Sequence, residues 1–193
     1  TSVCLVLADV TGHGMAAAIP VVMFSGILDR EMERPSNLAM RFAGLNRSLH
    51  RSLDAGKYIC FTMAEIDRAT KTLHLASCGN PYPLHFHDGE LTEVQRDGYP
   101  LGVRADTEYA AVEAPLHEGD YLVLYSDGIP EITNGSEEMF GYDRVLATVH
   151  EACRDGLSAQ DVVVRLLARA REFAGDEPPT DDMTCVALRV AHR

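Results

Sequence analysis

Between Tyr58 and Tyr125 the helical period vanishes, and short apolar or β-branched segments alternate with turn residues. A chain with such a middle builds antiparallel sheet. Residues 58–66 and 73–77 are expected to pair across Asp67-Arg68-Ala69-Thr70-Lys71. Residues 84–87 and 91–94 flank Asp88-Gly89, a pair that accepts the positive φ angles of a tight hairpin. Residues 109–113 and 121–125 supply two more strands, and residues 183–190 a last one. Before the middle, Val3–Ala8 reads as a short buried strand. Two helices are then expected, over 15–32 and 36–53. Pro20 should kink the first or shift its start. Ser36 is the expected N-cap of the second, whose Leu38, Phe42, Leu45, Leu49 and Leu53 fall on one face. After the middle come helices over 142–153 and 158–173, the latter with Ser158 as N-cap and Asp161 at the third helical position. Hairpins dominate and helices come in two pairs. The fold class is α+β, antiparallel sheets covered by helices.

At 193 residues the chain has the size of a single domain with a real core, and no repeat or linker interrupts it. Its net charge of −12 argues against nucleic acid, whose phosphates it would repel, and suits a divalent cation site. No apolar stretch approaches the ~18–20 residues that span a bilayer, and no signal peptide is visible, so neither membrane nor export is expected. Cys4, Cys60, Cys78, Cys153 and Cys185 form no CxxC pair and mostly sit in apolar runs. They read as reduced, buried thiols of a cytoplasmic protein. The sequence opens directly on a strand, which leads us to expect something before it in the full protein.

Three acidic positions share one context. Asp9 follows the first strand and precedes Gly12-His13-Gly14; Asp127 follows residues 121–126 and precedes Gly128; Asp181 and Asp182 directly precede the last strand. Each is expected in a turn at the end of a buried strand, held by the sheet yet open to solvent. Clustered carboxylates repel and raise one another's pKa. Mg²⁺ or Mn²⁺ removes that conflict, because hard cations take oxygen ligands. Two such ions would activate a water and clamp a phosphoryl group.

The ordered set of segments resembles the metal-dependent protein phosphatases, in the bacterial RsbU and stage II sporulation E type of serine phosphatase. It runs Ala8-Asp9-Val10-Thr11-Gly12-His13-Gly14, Ala76-Ser77-Cys78-Gly79-Asn80-Pro81-Tyr82-Pro83-Leu84, Gly98-Tyr99-Pro100-Leu101-Gly102, residues 119–131 and Thr180-Asp181-Asp182-Met183-Thr184. The resemblance implies an αββα sandwich with a dinuclear Mn²⁺ or Mg²⁺ centre. Asp9 would bridge the ions, the Val10 carbonyl would ligate one, and Asp127 and Asp181 would hold the other. Asp182 would support these ligands, with an exchange of roles between Asp181 and Asp182 left open. His13 would be a general acid for the leaving alkoxide, or simply a helix-start residue. The Gly79 and Gly98–Gly102 segments would shape turns, and the first helix pair resembles elements through which partners switch activity. The implied substrate is a phosphoserine or phosphothreonine protein of the anti-sigma-factor-antagonist kind. The implied partners are an upstream sensor or receiver domain and a possible homodimer.

Members of that family also carry an N-terminal strand pair with a Gly-Gly-Asp motif whose Asp binds metal. This sequence opens beyond that point, which favours the competing reading of a degenerate, binding-only phosphatase fold; Asp9, Asp127 and Asp181 favour the enzyme. A third reading rests on His85 and His87, which share a strand face and could chelate a metal, although no third ligand at suitable spacing is evident.

Overall fold

The computed structural model describes residues 2–12, 15–95 and 98–191. The chain divides into two compact units, Thr1–Asn80 with Arg96–Pro115, and Pro81–Gln95 with Leu116–Arg193. Each holds one four-stranded antiparallel sheet and one pair of helices, so the expected α+β class is the observed one.

The first unit contains β1 (Ser2–Val10), α1 (Met15–Met32), α2 (Leu38–Ser52), β2 (Ile59–Asp67), β3 (Thr72–Cys78) and β6 (Val112–Pro115), in sheet order β1-β2-β3-β6. Alternation along β2 and β3 turns Phe61, Met63, Ala76 and Cys78 toward the helices. The α2 face predicted from spacing meets them: Leu38, Phe42, Leu45 and Leu49 are buried, and the Phe42 and Phe24 rings each lie 5.1 Å from Phe61. The N-cap is Asn37 and not Ser36; its side-chain oxygen accepts from the Met40 amide at 2.9 Å. Helix α1 runs through Pro20 without a break. Pro20 lies in the second turn, where its missing amide removes one hydrogen bond close to an already unsatisfied end.

Two strand expectations need correction. β1 is not buried: it stands at the edge of its sheet, exposing Val3, Cys4 and Val6, and only Leu7 is fully covered. Among the cysteines, Cys78 and Cys153 are buried as expected but Cys4 is exposed. The strand expected at 109–113 forms at Val112–Pro115, because Tyr109 is used otherwise. Its ring packs 5.6 Å from Phe42 and its hydroxyl donates to the Tyr99 carbonyl at 3.1 Å.

The second unit contains β4 (Leu84–His87), β5 (Glu90–Glu93), β7 (Tyr121–Tyr125), α3 (Tyr142–Arg154), α4 (Ala159–Ala174) and β8 (Cys185–Arg189), in order β5-β4-β7-β8. Asp88 at φ 48° and Gly89 at φ 85° form the hairpin turn read from the sequence. Tyr121, Val123 and Tyr125 pack with Val145, Val149, Val162 and Leu166 of the helices. Ser158 caps α4 as predicted: its hydroxyl accepts from the Asp161 amide at 3.1 Å and donates to the Asp161 carboxylate at 2.6 Å. Strand β8 starts two residues later than expected, which leaves residues 181–184 free of the ladder's geometry and available for the site.

Candidate metal centre

In the second unit, β7 is buried along its whole length and ends at Tyr125, directly before the buried Ser126. β8 runs antiparallel beside it, with Tyr125 opposite Cys185, so the residues after β7 and before β8 share one end of the sheet. Ser126 fastens them. Its hydroxyl donates to the Asp182 carbonyl at 2.8 Å and accepts from the Thr184 amide at 2.9 Å, while its own amide donates to the Thr184 carbonyl at 2.9 Å. Gly128 completes the approach. A Cβ there would overlap the Asp182 carbonyl oxygen and lie 3.0 Å from its carbon, so only glycine fits. Asp127, Asp181 and Asp182 are thereby held at the same end of the second unit's sheet.

The Asp127 carboxylate is the unusual group of this set. Its Oδ1 is buried and has no hydrogen-bond partner among the described residues. A buried carboxylate oxygen without a donor bears an unmet desolvation cost. More negative charge stands nearby. The Glu131 amide donates to the Asp127 carbonyl at 3.0 Å, closing a turn that brings Glu131 back beside it. Burial first, then the charges of Asp127 and Asp181, push the Glu131 carboxyl above its ordinary value. Burial and then Glu131 and Asp127 push the Tyr142 hydroxyl up as well. Oxygen donors, an uncompensated buried carboxylate and mutual repulsion together fit a hard divalent cation. Glu131 closes the segment 119–131 and carries no site role in the sequence reading. Its signal was the spacing of four from Asp127 across Gly128 and Pro130, a turn that returns the chain on itself. Asp182 acts through its backbone: its amide donates to the Asp181 carboxylate at 2.7 Å and its carbonyl receives Ser126, which suits the supporting role.

In the first unit, Asp9 and Val10 are the last residues of β1, opposite Cys60 and Ile59, rather than in the turn where they were expected. The turn begins at Thr11, whose hydroxyl and amide both bond to Tyr58, and Gly12 leaves the strand at φ 105°. A polar brace crosses the sheet beside Asp9. Thr62 and Ser77 share a hydrogen bond of 2.7 Å, and the Asn80 amide donates to Thr62 at 3.0 Å and to the Leu7 carbonyl at 3.4 Å. Gly79, at φ 79°, admits this brace, since a Cβ there would meet the Cys60 sulfur at 2.6 Å. The structural role assigned to Gly79-Asn80 is therefore that of holding the Asp9 strand. His13 lies outside the described residues.

The sequence model of the stage II sporulation protein E family matches residues 1–191. Phosphoserine phosphatase RsbU of Bacillus subtilis (strain 168) is 25% identical over 193 residues, covering 97% of this chain and 56% of RsbU. The SiaA-PP2C domain of Pseudomonas aeruginosa superposes with a TM-score of 0.85 at 22% identity, over 96% of this chain and 75% of that one. The catalytic domain of the serine threonine protein phosphatase PstP in complex with two manganese ions superposes with a TM-score of 0.69 at 17% identity, over 98% of this chain and 88% of that one. The chain thus spans little more than half the length of RsbU.

Proposed function

Because the chain belongs to the stage II sporulation protein E family, we propose that it is a metal-dependent phosphatase that hydrolyses phosphoserine or phosphothreonine on a regulatory protein. The observation that carries this reading is the buried, unpartnered Asp127 Oδ1 beside Asp181 and Glu131. A phosphoryl dianion brought to that end of β7 meets the like charge of Asp127, Asp181 and Glu131, which cations standing between would neutralise. RsbU is by its name a phosphoserine phosphatase and the PstP structure holds manganese, which supports Mn²⁺ or Mg²⁺ here. The ligands we assign are Asp9, the Val10 carbonyl, Asp127 and Asp181.

When bound, the cations supply an activated water and neutralise phosphoryl charge. The chain's own residues do the rest. Asp127 is presented by the end of a fully buried strand, which fixes its position. Ser126 and Gly128 hold the Asp181-Asp182 backbone against it. Glu131 stands beside these acids, and its burial and then the charges of Asp127 and Asp181 push its carboxyl above its ordinary value. His13 retains the proposed role of protonating the leaving alkoxide. The substrate class is a phosphorylated signalling domain of the anti-sigma-factor-antagonist kind, and the partner an upstream sensor or receiver domain.

The test is Mn²⁺-dependent hydrolysis of p-nitrophenyl phosphate and of a phosphoserine peptide. Asp127→Asn should lower kcat/KM by more than about 100-fold, since even groups that only support metal ligands are worth 10–100-fold. Hydrolysis that proceeds equally with Mn²⁺ and with chelator, or that survives Asp127→Asn, would sink the metal-dependent mechanism, and absence of hydrolysis with Mn²⁺ would leave a binding module.

A further inference from the structure

At the opposite end of β7 from Asp127, three histidine side chains gather around one carboxylate. Asp120 is the residue immediately before β7, and its side chain is only 3% exposed. Oδ1 faces Nδ1 of His87 at 2.8 Å. Oδ2 accepts from the His117 amide at 2.9 Å and faces Nε2 of His85 at 3.2 Å and Nδ1 of His117 at 3.7 Å. The His87 and His117 rings lie 4.6 Å apart, and the His85 and His87 rings stack at 6.0 Å. Among the described residues, His87, His117 and Asp120 bring one ligand atom each to within 4.8 Å of one another. His87 comes from the end of β4, and His117 and Asp120 from the loop that leads into β7. The antiparallel pairing of β4 with β7, with Phe86 opposite Tyr121, is what assembles them.

From this arrangement we infer a second metal site, built by His87, His117 and Asp120, for a borderline first-row dication of the Zn²⁺ class. Two imidazole nitrogens and one carboxylate oxygen match the preference of such ions, and they differ from the all-oxygen set that suits Mg²⁺. Tetrahedral bonds of about 2.0–2.1 Å put neighbouring ligand atoms roughly 3.3 Å apart. The His87 nitrogen, 2.8 Å from Oδ1, must therefore draw back slightly, and the His117 nitrogen, 3.7 Å from Oδ2 and within the 4.8 Å spread of the three ligand atoms, must swing closer to Oδ1. Both rings can turn to do so, because their side chains are 47% and 56% exposed. That exposure also leaves an open coordination position to water and an entry path for the ion. His85, 14% exposed, stays behind Asp120 and orients the carboxylate from its other oxygen, as does the His117 amide. The chain's net charge of −12 favours cation uptake.

The site is separate from the phosphatase acids. Asp120 and Asp127 are seven positions apart along an extended strand, roughly 20 Å. Its occupant would clamp the β4–β5 hairpin to the loop before β7, bracing the far end of the second unit's sheet.

Cobalt is the probe, because its visible ligand-field bands report nitrogen ligands and low coordination number where Zn²⁺ is silent. The protein carrying Asp127→Asn and Asp181→Asn is stripped with chelator and titrated with Co²⁺. We expect one equivalent with intense visible bands, displaced by Zn²⁺. Adding His87→Ala or His117→Gln should abolish the bands or weaken Zn²⁺ binding at least tenfold, with the far-ultraviolet circular dichroism unchanged. In the otherwise natural protein, the same His substitutions should leave Mn²⁺-dependent hydrolysis intact. Absence of Co²⁺ binding in the aspartate-substituted protein, or binding that both His substitutions leave unchanged, overturns the assignment.

Discussion

A methyl group at position 128 would occupy the space through which the Asp182 carbonyl approaches the turn after β7. Gly128→Ala should therefore push residues 181–182 away from Asp127. The expected cost is about 1–3 kcal/mol in chemical unfolding, the usual range for overpacking, together with loss of metal-dependent hydrolysis. A different residue-scale effect follows from the pairing of His87 with Asp120. The hydrogen bond to Asp120, and then its charge, hold the His87 imidazole above its ordinary value of 6.5. Burial works to raise the Asp120 carboxyl, but the His117 amide, His87 and His85 outweigh it and keep it below 3.8. The stability due to His87 is thus complete below pH 6.5 and is lost as pH rises through its raised value. That due to Asp120 is present above pH 3.8 and is lost as pH falls through its lowered value. Without metal, the pair is strongest between the two. A histidine proton-resonance titration checks this: Asp120→Asn should return His87 to an ordinary midpoint, and an unchanged midpoint would refute the coupling.

Elements were legible in proportion to how local their signals are. The α2 stripe, the Asp88-Gly89 hairpin and the Ser158 cap are written within a few neighbouring residues, and the structure reproduces each. Ser158→Ala should accordingly cost about 1 kcal/mol, as loss of a helix cap does, measurable as a lowered denaturation midpoint with unchanged slope. Strand β1 was misread as buried because an apolar run has the same appearance at the centre of a sheet and at its edge. Strand β6 was placed too early because Tyr109 looks like a strand residue but is spent on Phe42 and Tyr99. The loop around Gly102 was legible only as a turn. Its anchor is Asn46, a fully buried α2 side chain that accepts from the Gly102 amide at 2.9 Å and donates to the Arg104 carbonyl at 2.8 Å. Asn46→Ala strands these groups in the interior and should destabilise by about 2–3 kcal/mol, more than the surface cap.

For the molecule as a whole, the charge of −12 and the uncompensated Asp127 lead us to predict a stability that rises with cations. Mn²⁺ at 100 times its dissociation constant should add about 2.7 kcal/mol, seen as a higher melting temperature. Asp127→Asn should reduce that gain, and an equal gain in both proteins would place the metal elsewhere. No helix among the described residues is long and apolar enough to cross a membrane. The α+β class, the strand-and-helix sequence, the strand-end acids and the family were all present in the sequence, because propensity, turn chemistry and short motifs are properties of neighbours along the chain. Which strand lies at the edge, that Asp127 Oδ1 has no donor, that Glu131 joins the acids, and that His85 and His87 find their third and fourth partners some thirty residues away were decided by tertiary structure. Register and burial arise from pairing between distant segments: a His-x-His pattern states that two rings share a face, and only the partner strand determines what that face meets.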